Sequence, residues 1–441
     1  MEDSIYRLRH ADVLTLCVIG LLALGVVMVQ SASMNATGAL DQRVQELRAE
    51  RTSALAKNGD KSKAAQIQKD YEARVADATN KFDQRPTHWY WTPTGIKQLG
   101  FAIAALGTFW VVGFFDYSRL TRGALWRNPI VWLVAVAGVS CAAVLVPGIG
   151  REMNGARRWI SLGFTQFQPS EVGKWSLVIF LAYFISQRKV KLENFLTGFL
   201  PTLIPVGIVA LLIVIQDFGT AALIGICTVA ILIAGRARVW HMLLSAAPAL
   251  AAATWFVTHK AYRMKRMTAF MDPYADPQGQ GYHMIQSLLS FSTGGVFGRG
   301  LGNGIQKLGY LPEDTTDFIF AVICEEMGLF GAALTIALYL GILYVSWQLM
   351  KQTRDGFGRL LAFGIGAMIG FQALMNIAVA TVSVPTKGLS LPLISAGGTG
   401  LIITCGALGL LNSVARHRHD AEEEVNAALW ETDSLALATA L

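Results

Sequence analysis

Charge is scarce in this sequence. Asp, Glu, Lys and Arg make up 15% of the 441 residues, whereas typical soluble domains carry about 25% charged residues. Hydrophobic residues make up 53% of the chain, and many stand in stretches close to the roughly 20 apolar residues that a membrane-spanning helix needs. The shortage of charge and the length of these stretches exclude an ordinary soluble protein and predict an integral membrane protein.

Metal-binding and nucleic-acid-binding patterns are also missing. Each of the five cysteines lies inside an apolar stretch, and no two stand at metal-ligand spacing, so we expect buried cysteines that pack as small hydrophobic residues. The formal net charge is +7, but no basic block stands beside exposed aromatic residues, and we expect no nucleic-acid partner. In a membrane protein this excess first indicates Lys and Arg in cytoplasmic loops.

Ten apolar stretches predict an all-α polytopic membrane protein with about ten transmembrane helices and large outer loops. Open sheet edges cannot face lipid, so stretches of this length are expected to be helical. The first stretch lacks a small-residue cleavage site and is expected to remain as a span. The predicted spans are 12–31, 96–115, 129–148, 170–186, 197–215, 218–234, 239–258, 317–347, 360–383 and 390–412.

The distribution of Arg and Lys predicts which side the loops occupy. An even number of spans places both termini on one side of the membrane, and cations concentrate in the segments on that side, as the positive-inside rule requires of the cytoplasm. These cations include Arg7, Arg9, Arg119, Arg122, Arg127, Arg188, Lys189, Arg236, Arg238, Lys351, Arg354, Arg359 and Arg416. We therefore predict a multi-pass protein with both termini in the cytoplasm.

The spans and loops divide the chain into six parts. Two outer segments are long: the first is a charged spacer or helical hairpin, and the second mixes cations with glycine-rich turns and begins as an amphipathic segment. The parts are the N-terminus and first span (1–35), a charged extracytoplasmic insert (36–95), spans two to seven (96–258), a large extracytoplasmic loop (259–316), spans eight to ten (317–412) and a cytoplasmic tail (413–441).

Two cationic motifs lie near the outer ends of the third and fourth spans. In QPSEVGK, Glu171 and Lys174 share one helix face, so they form either a structural ion pair or part of a site. In GARRWISLG, Arg157 and Arg158 precede Trp159. These arginines either anchor the chain at the membrane–water interface or bind an anionic headgroup, since guanidinium matches phosphate geometry.

The remaining candidates lie in loops at the predicted outer side. Asp217, in IQDFGT, is expected to cap the next helix more readily than to act in catalysis. Asp317, which follows Glu313 where the loop meets the eighth span, is either an N-cap or a partly desolvated general base. Lys387 stands in a Pro- and Gly-broken loop, where it lines a cavity or extends to the interface.

One glycine-rich segment, STGGVFGRGLGNG (292–304), invites comparison with nucleotide-binding loops. No strand precedes it in a strand–helix unit, so it does not predict a dinucleotide site. We expect its glycines to allow turns and close backbone approach, and we expect no organic cofactor.

Taken together, these segments resemble the SEDS family of bacterial shape, elongation, division and sporulation proteins. The resemblance extends over nearly the whole chain. The PTKG and LPLIS motifs are more similar to those of the division members than to those of the elongation members. The matching segments are GVVMVQSAS (25–33), GARRWISLG (155–163), QPSEVGK (168–174), DFGT (217–220), 276–328 and PTKGLSLPLISAGGTG (385–400).

The resemblance implies a peptidoglycan glycosyltransferase of the bacterial inner membrane. It would polymerise lipid II, an undecaprenyl-pyrophosphate-linked substrate, on the outer face, with inversion. The family pattern places the catalytic acidic residue at Asp317 and the substrate- and pyrophosphate-binding residues at Arg158, Lys174, Glu171 and Lys387, with Arg157, Asp217 and Glu313 as secondary candidates.

The resemblance also implies partners and a cation. The expected partners are a class B penicillin-binding protein transpeptidase and other division proteins, and a divalent cation such as Mg²⁺ or Mn²⁺ is expected at the pyrophosphate. Competing functions are a lipid II flippase, a non-catalytic division scaffold and an elongation-type role. The sequence departs from the family at Gln216, Ile215 and Ala396, and in the length of the insert at 36–95.

Overall fold

The structure is a computed structural model. It describes residues 9–34, 47–48, 51–52, 67–76, 91–123, 127–153, 156–161, 163, 165–187, 190–259, 261–277, 279, 281–307, 311 and 313–417. Most of the insert at 36–95, the start of the N-terminus and the tail beyond His417 lie outside the described residues. Within the insert, residues 67–76 are helical.

Ten described helices correspond to the ten predicted spans. Six are long and apolar enough to cross a membrane, three are shorter and apolar, and Pro169–Ser186 has 18 residues. The helices are α1 (His10–Ser33), α2 (Pro93–Phe114), α3 (Pro129–Leu145), α4 (Pro169–Ser186), α5 (Leu200–Val214), α6 (Phe218–Ala234), α7 (Val239–Thr258), α8 (Ala261–Met271), α9 (Tyr282–Gly294), α10 (Ile319–Gln352), α11 (Gly356–Ala380) and α12 (Thr399–His417). Among these, α8 and α9 belong to the long loop between the seventh and eighth spans.

Local sequence signals set several helix starts. Thr92 and Asn128 each accept a backbone hydrogen bond at an N-cap and are followed by proline, the residue that fits the first helical position without losing a bond. Asp355 caps α11 in the same way. A one-turn π-helix, Phe195–Phe199, leads into α5.

Two predicted spans differ from the structure. The predicted span 317–347 corresponds to α10, which starts at Ile319 and is broken at Gly328, where φ is 63°. The predicted span 390–412 was placed too early, because residues 390–398 form an irregular loop and α12 begins at Thr399. Both differences follow from glycine: Gly328 interrupts an otherwise apolar run, and Gly397 and Gly398 delay the last helix.

A small antiparallel sheet was not predicted. Its strands are β1 (Gly150–Met153), β2 (Ala156–Ser161) and β3 (Gln166–Phe167), in the order β1–β2–β3. Arg151 lies opposite Trp159, and the register shifts between Arg151 and Glu152. The sheet connects α3 to α4 and so lies over one end of the helix bundle.

The core lies between α1, α4, α10, α11 and α12. α1 packs against α2 and α10, while α11 packs against α10, α4 and α6. Buried residues such as Leu21, Val178, Ile323 and Leu361 are fully enclosed. α7 instead packs chiefly against α8, and Trp240 and Leu243 on it are exposed, as expected of a face that meets lipid.

Candidate active site

A cavity of about 1870 Å³ opens at the end of the bundle where α1 ends and α2, α4, α6 and α12 begin. We call this the cavity end of the bundle. The cavity wall carries both positive and negative side chains, which come from several separate parts of the chain. The ionisable residues in its wall are Lys97, Arg151, Arg158, Arg266, Lys387, Glu171, Asp217, Glu313, Asp317 and His283.

Asp317 is held in the cavity wall by its backbone. Its backbone carbonyl oxygen accepts a 2.8 Å hydrogen bond from the side-chain Nδ2 of Asn376 in α11. The preceding turn is bound to the loop before α12, because Ser395 Oγ donates to the Thr316 carbonyl and Ala396 N donates to the Thr315 carbonyl. The departure at Ala396 leaves this contact intact, since it uses only the main chain.

The Asp317 carboxylate lies in the cavity wall and does not cap a helix. The N-cap of α10 is Phe318, with no side-chain capping bond, so the alternative that Asp317 caps this helix is wrong. Within the described part of the chain, its carboxylate makes no hydrogen bond. Burial raises the pKa of Asp317 to about 7, with further increases from Glu313 and Asp217 and opposing effects of Arg158 and Arg266.

Arg158 faces Asp317 across Gly388. Its Nη1 and Asp317 Oδ2 each lie 3.4 Å from the position that a Cβ atom would take at Gly388. A Cβ atom at this position would make ordinary van der Waals contact with both groups. The Nε of Arg158 donates a 2.9 Å bond to the Gln216 carbonyl, which leaves the rest of the guanidinium facing the cavity.

Glu171 and Lys174 form the predicted ion pair, with 2.8 Å between Glu171 Oε2 and Lys174 Nζ. Lys174 is 1% exposed and does not itself line the cavity, whereas Glu171 does. The ammonium also donates a 2.7 Å bond to Gln372 Oε1, and Gln372 Nε2 donates to the Ser390 carbonyl. Through Gln372, Lys174 thus supports the loop that contains Ser390 without lining the cavity itself.

Lys387 and Asp217 both lie in the cavity wall. Burial lowers the pKa of Lys387, and its Nζ lies 5.6 Å from the centroid of the Phe218 ring. Asp217 caps α6 as predicted, since its two oxygens accept from Thr220 N at 3.1 Å and Thr220 Oγ1 at 2.8 Å. It is both a cap and a negative group near Asp317.

The two other secondary candidates differ in position. Arg157 does not line the cavity: its side chain pairs with Glu152 at 3.5 Å, and its backbone N donates to Gln216 Oε1 at 3.0 Å. Glu313 does line the cavity, with an unusual positive φ of 58°, and it accepts a 2.9 Å bond from Thr316 Oγ1. Strained backbone of this kind concentrates at functional sites.

Four ionisable residues of the cavity wall were not site candidates from the sequence: Lys97, Arg151, Arg266 and His283. Arg266, in the amphipathic helix α8, reaches the Thr386 carbonyl with Nη1 at 3.4 Å. His283, in α9, lies against Phe318 with ring centroids 6.0 Å apart, and burial followed by Arg266 lowers its pKa. Neither Arg266 nor His283 gave a signal of its own, because a single polar residue in a loop helix is a weak indication of a site without the fold.

The acidic residues do not form a metal site by themselves. Among the described residues, no group of three His, Cys, Asp or Glu side chains could hold a metal ion. Both oxygens of Asp217 are already bound to Thr220. A metal ion in this cavity would therefore need ligands from a bound substrate as well as from the described side chains.

The helices and the cavity define a multi-pass membrane protein with a mixed-charge site at one end of its bundle. The chain belongs to the FtsW/RodA/SpoVE family of cell cycle proteins, whose family model matches residues 73–420. It is 40% identical over 351 residues to the probable peptidoglycan glycosyltransferase FtsW of Nitrosococcus halophilus, covering 77% of this chain and 85% of that protein.

Two solved structures share the fold. One is a chain of a peptidoglycan synthase complex that coordinates polymerization and crosslinking, with a TM-score of 0.60 and 29% identity over 74% of this chain and 90% of that chain. The other is a mutant of the rod shape determining protein RodA of Thermus thermophilus, with a TM-score of 0.54 and 27% identity over the same shares. The predicted SEDS family and its fold are confirmed.

Proposed function

We propose that this protein is a peptidoglycan glycosyltransferase that polymerises lipid II into glycan strands during cell division. The relative named above is a probable enzyme of this kind, and the division role follows its FtsW name. The observation that carries the proposal is the Asp317 carboxylate, which has no hydrogen-bond partner in the described chain and faces Arg158 across Gly388. This arrangement joins a base to a cation that can bind phosphate.

In the proposed reaction, Asp317 removes the proton from the 4-hydroxyl of the acceptor sugar. The resulting oxygen attacks the anomeric carbon of the donor, and the bond to undecaprenyl pyrophosphate breaks with inversion. A carboxylate with a pKa of about 7 suits this role, because a general base works best when its pKa is near the working pH. The proton ends on Asp317 and the negative charge on the leaving pyrophosphate.

The pyrophosphate charge needs cations that are already in place. We propose that Arg158 and Lys387 contact it directly from the cavity wall. Lys174 would add positive charge from behind, while Glu171 holds that ammonium in position. A guanidinium offers two parallel donors to phosphate oxygens, so Arg158 is the stronger of the two direct contacts.

A divalent cation is a further proposal. Mg²⁺ is commonly bound by one or two carboxylates together with substrate phosphates, so lipid II itself would supply the missing ligands. Polymerisation should stop when EDTA is added and return with Mg²⁺ or Mn²⁺. Full activity in excess EDTA would contradict this proposal.

We propose that the cavity opens to the outer side of the bacterial inner membrane and that a class B penicillin-binding protein transpeptidase is the working partner. Cations such as Arg119, Arg122 and Arg354 follow the helix ends opposite the cavity, which supports a cytoplasmic location for that end. The likeness to a chain of a peptidoglycan synthase complex supports a partner that crosslinks the product.

The decisive experiment is glycan synthesis by the purified protein with such a transpeptidase, from lipid II supplied in detergent. Asp317→Asn removes the basic carboxylate but keeps its size, and we expect polymerisation to fall by about 100-fold or more. Asp272→Asn is the matched control. It makes the same change at an exposed carboxylate outside the cavity wall, where Asn also serves as a cap, and should retain the wild-type rate.

The outcomes separate the competing functions. Detergent removes any need for translocation, so a flippase or a scaffold would give no product from the wild type. Full activity of Asp317→Asn would reject Asp317 as the base. Activity of the wild type that is lost in Asp317→Asn at unchanged melting temperature supports the polymerase.

A further inference from the structure

The helix that follows Asp317 is broken. Gly328 has φ of 63°, so residues 319–327 form a separate short helix, which we call the half-helix. After the break, Leu329 N donates to the carbonyl oxygens of Gly295 and Val296 at 3.1 Å. The half-helix begins directly after Phe318, and its orientation therefore sets the direction in which Asp317 enters the cavity.

The glycine-rich turn 295–304 covers the broken end. Arg299 N donates to the Glu325 carbonyl at 3.0 Å, and Gly300 N donates to the Glu326 carbonyl at 2.9 Å. These bonds satisfy carbonyl groups that a helix end leaves without partners. A Cβ atom at Gly298 would lie 2.2 Å from the Glu326 carbonyl oxygen, so the turn needs glycine there.

A buried charged cluster joins this end to the first span. Glu326 Oε1 lies 2.6 Å from Lys307 Nζ, and Ser31 Oγ lies 2.8 and 2.7 Å from the two Glu326 oxygens. Lys307 also donates to Ser31 Oγ at 2.8 Å, and Gly302 N donates to Glu326 Oε2 at 3.0 Å. Ser31, Lys307 and Glu326 are at most 2% exposed.

The proposed reaction makes no use of this cluster, because none of its three residues lines the cavity. Its location suggests another purpose. Glu326 is nine residues from Asp317, which corresponds to about 14 Å along a helix axis. The cluster therefore holds the far end of the short element that carries the proposed base.

We propose that Ser31, Lys307 and Glu326 are positioning residues that fix the half-helix against α1 and thereby aim Asp317 at the substrate. This inference rests on the proposed function, in which Asp317 is the base. The other directed bonds of the half-helix join it to the segment that precedes it, since the Glu325 carboxylate accepts from Ile305 N at 2.7 Å and Gln306 N at 3.2 Å. The packing of Ile319, Val322 and Ile323, which are fully buried, is apolar and non-directional. A paired charge with several directed bonds specifies one rotation of the helix, which apolar packing alone does not.

The test uses paired substitutions in the full chain with its transpeptidase partner. Lys307→Met and Glu326→Gln each leave one buried charge without its partner, and each should lower both the melting temperature and kcat. The double variant Lys307→Met/Glu326→Gln removes both charges and should recover most of the melting temperature. We expect kcat of the double variant to stay about 10- to 100-fold below wild type, with KM for lipid II within about threefold.

A matched control measures the effect of destabilisation alone. Leu349→Ala creates a cavity at the opposite end of α10, where Leu349 is 1% exposed, and should lower the melting temperature without a comparable loss of kcat. Wild-type kcat in the double variant, or an equal loss of kcat in Leu349→Ala, would overturn the positioning role.

A second measurement does not depend on activity. Asp317→Cys introduces a thiol at the site, and the five native cysteines are buried and should react slowly. Its modification rate by a small maleimide should rise by roughly tenfold when the cluster is removed, because the half-helix then moves more freely. An unchanged rate contradicts the positioning role, whereas failure of the wild type to polymerise lipid II contradicts the proposed function only.

Discussion

Arg158 is bound to the backbone of Gln216: its Nε donates a 2.9 Å hydrogen bond to the Gln216 carbonyl oxygen. The side chain of Gln216 binds back to the same strand, because its Oε1 accepts from Arg157 N at 3.0 Å. The family often has proline at this position, and proline also provides a carbonyl. The departure at Gln216 therefore preserves the bond that orients Arg158.

The bond between Arg158 and Gln216 predicts different rates of polymerisation when each residue is changed to alanine. Arg158→Ala removes the guanidinium from the cavity and should reduce polymerisation by roughly 10- to 100-fold, since a hydrogen bond to a charged group contributes about 1.5–3 kcal/mol. Gln216→Ala keeps the carbonyl and should stay within about threefold of wild type. Rates from lipid II with intact folding check both, and a normal rate for Arg158→Ala would remove it from the site.

The pKa of Asp317 predicts the pH dependence of the reaction. The base acts as the carboxylate, and burial raises its pKa to about 7, so the rate should rise about tenfold per pH unit below 7 and level off above it. Glu313 contributes to this raised pKa, and Glu313→Gln should move the rise to lower pH. A pH profile that is flat between about 5.5 and about 8 would not fit an Asp317 base.

Lys174 is predicted to be essential although it lies behind the cavity wall. Lys174→Ala leaves the partly buried Glu171 without its partner and removes the donor that orients Gln372, so we expect roughly a tenfold or greater loss of polymerisation and a lower melting temperature. Lys351→Ala, at an exposed lysine at the other end of the bundle, is the control and should change neither. Near-normal turnover by a folded Lys174→Ala protein would exclude this role.

The sidedness of the cavity can be measured in cells. Glu313→Cys and Arg354→Cys place thiols at exposed positions, one at the cavity end and one at the opposite end. An impermeant thiol reagent should label the first from outside and the second only after the membrane is opened, because Arg354 belongs to the cation-rich side. Labelling of the position-354 variant in intact cells would reverse the proposed topology.

The sequence predicted the features that depend on local pattern. Apolar length predicted ten spans, since lipid requires helices of about 20 residues. Asp217 was expected as a cap and Glu171 with Lys174 as an ion pair, because both depend on spacings within one helix. The resemblance of the motifs added the family, which is confirmed, and a candidate role for Asp317, which remains a prediction.

Other features depend on contacts between distant segments. The break at Gly328 was missed because it lies within an apolar run and is stabilised by a glycine-rich turn far earlier in the chain. The strands at 150–167 are too short for their alternation to be recognised. Arg266 and His283 gave no signal of their own, because a single polar residue acquires a role only when the chain brings it beside Asp317.

By itself, then, the sequence determined the membrane class, the apolar helices and the local pairs, because hydrophobic length and helical spacing act within one segment. Only the tertiary structure decided which charges meet. It placed Arg158 across Gly388 from Asp317, kept Lys174 behind the wall, and joined Ser31 to Glu326 at a separation of 295 residues. Such contacts depend on how the helices pack against one another, and a local sequence pattern does not determine which distant segments come together.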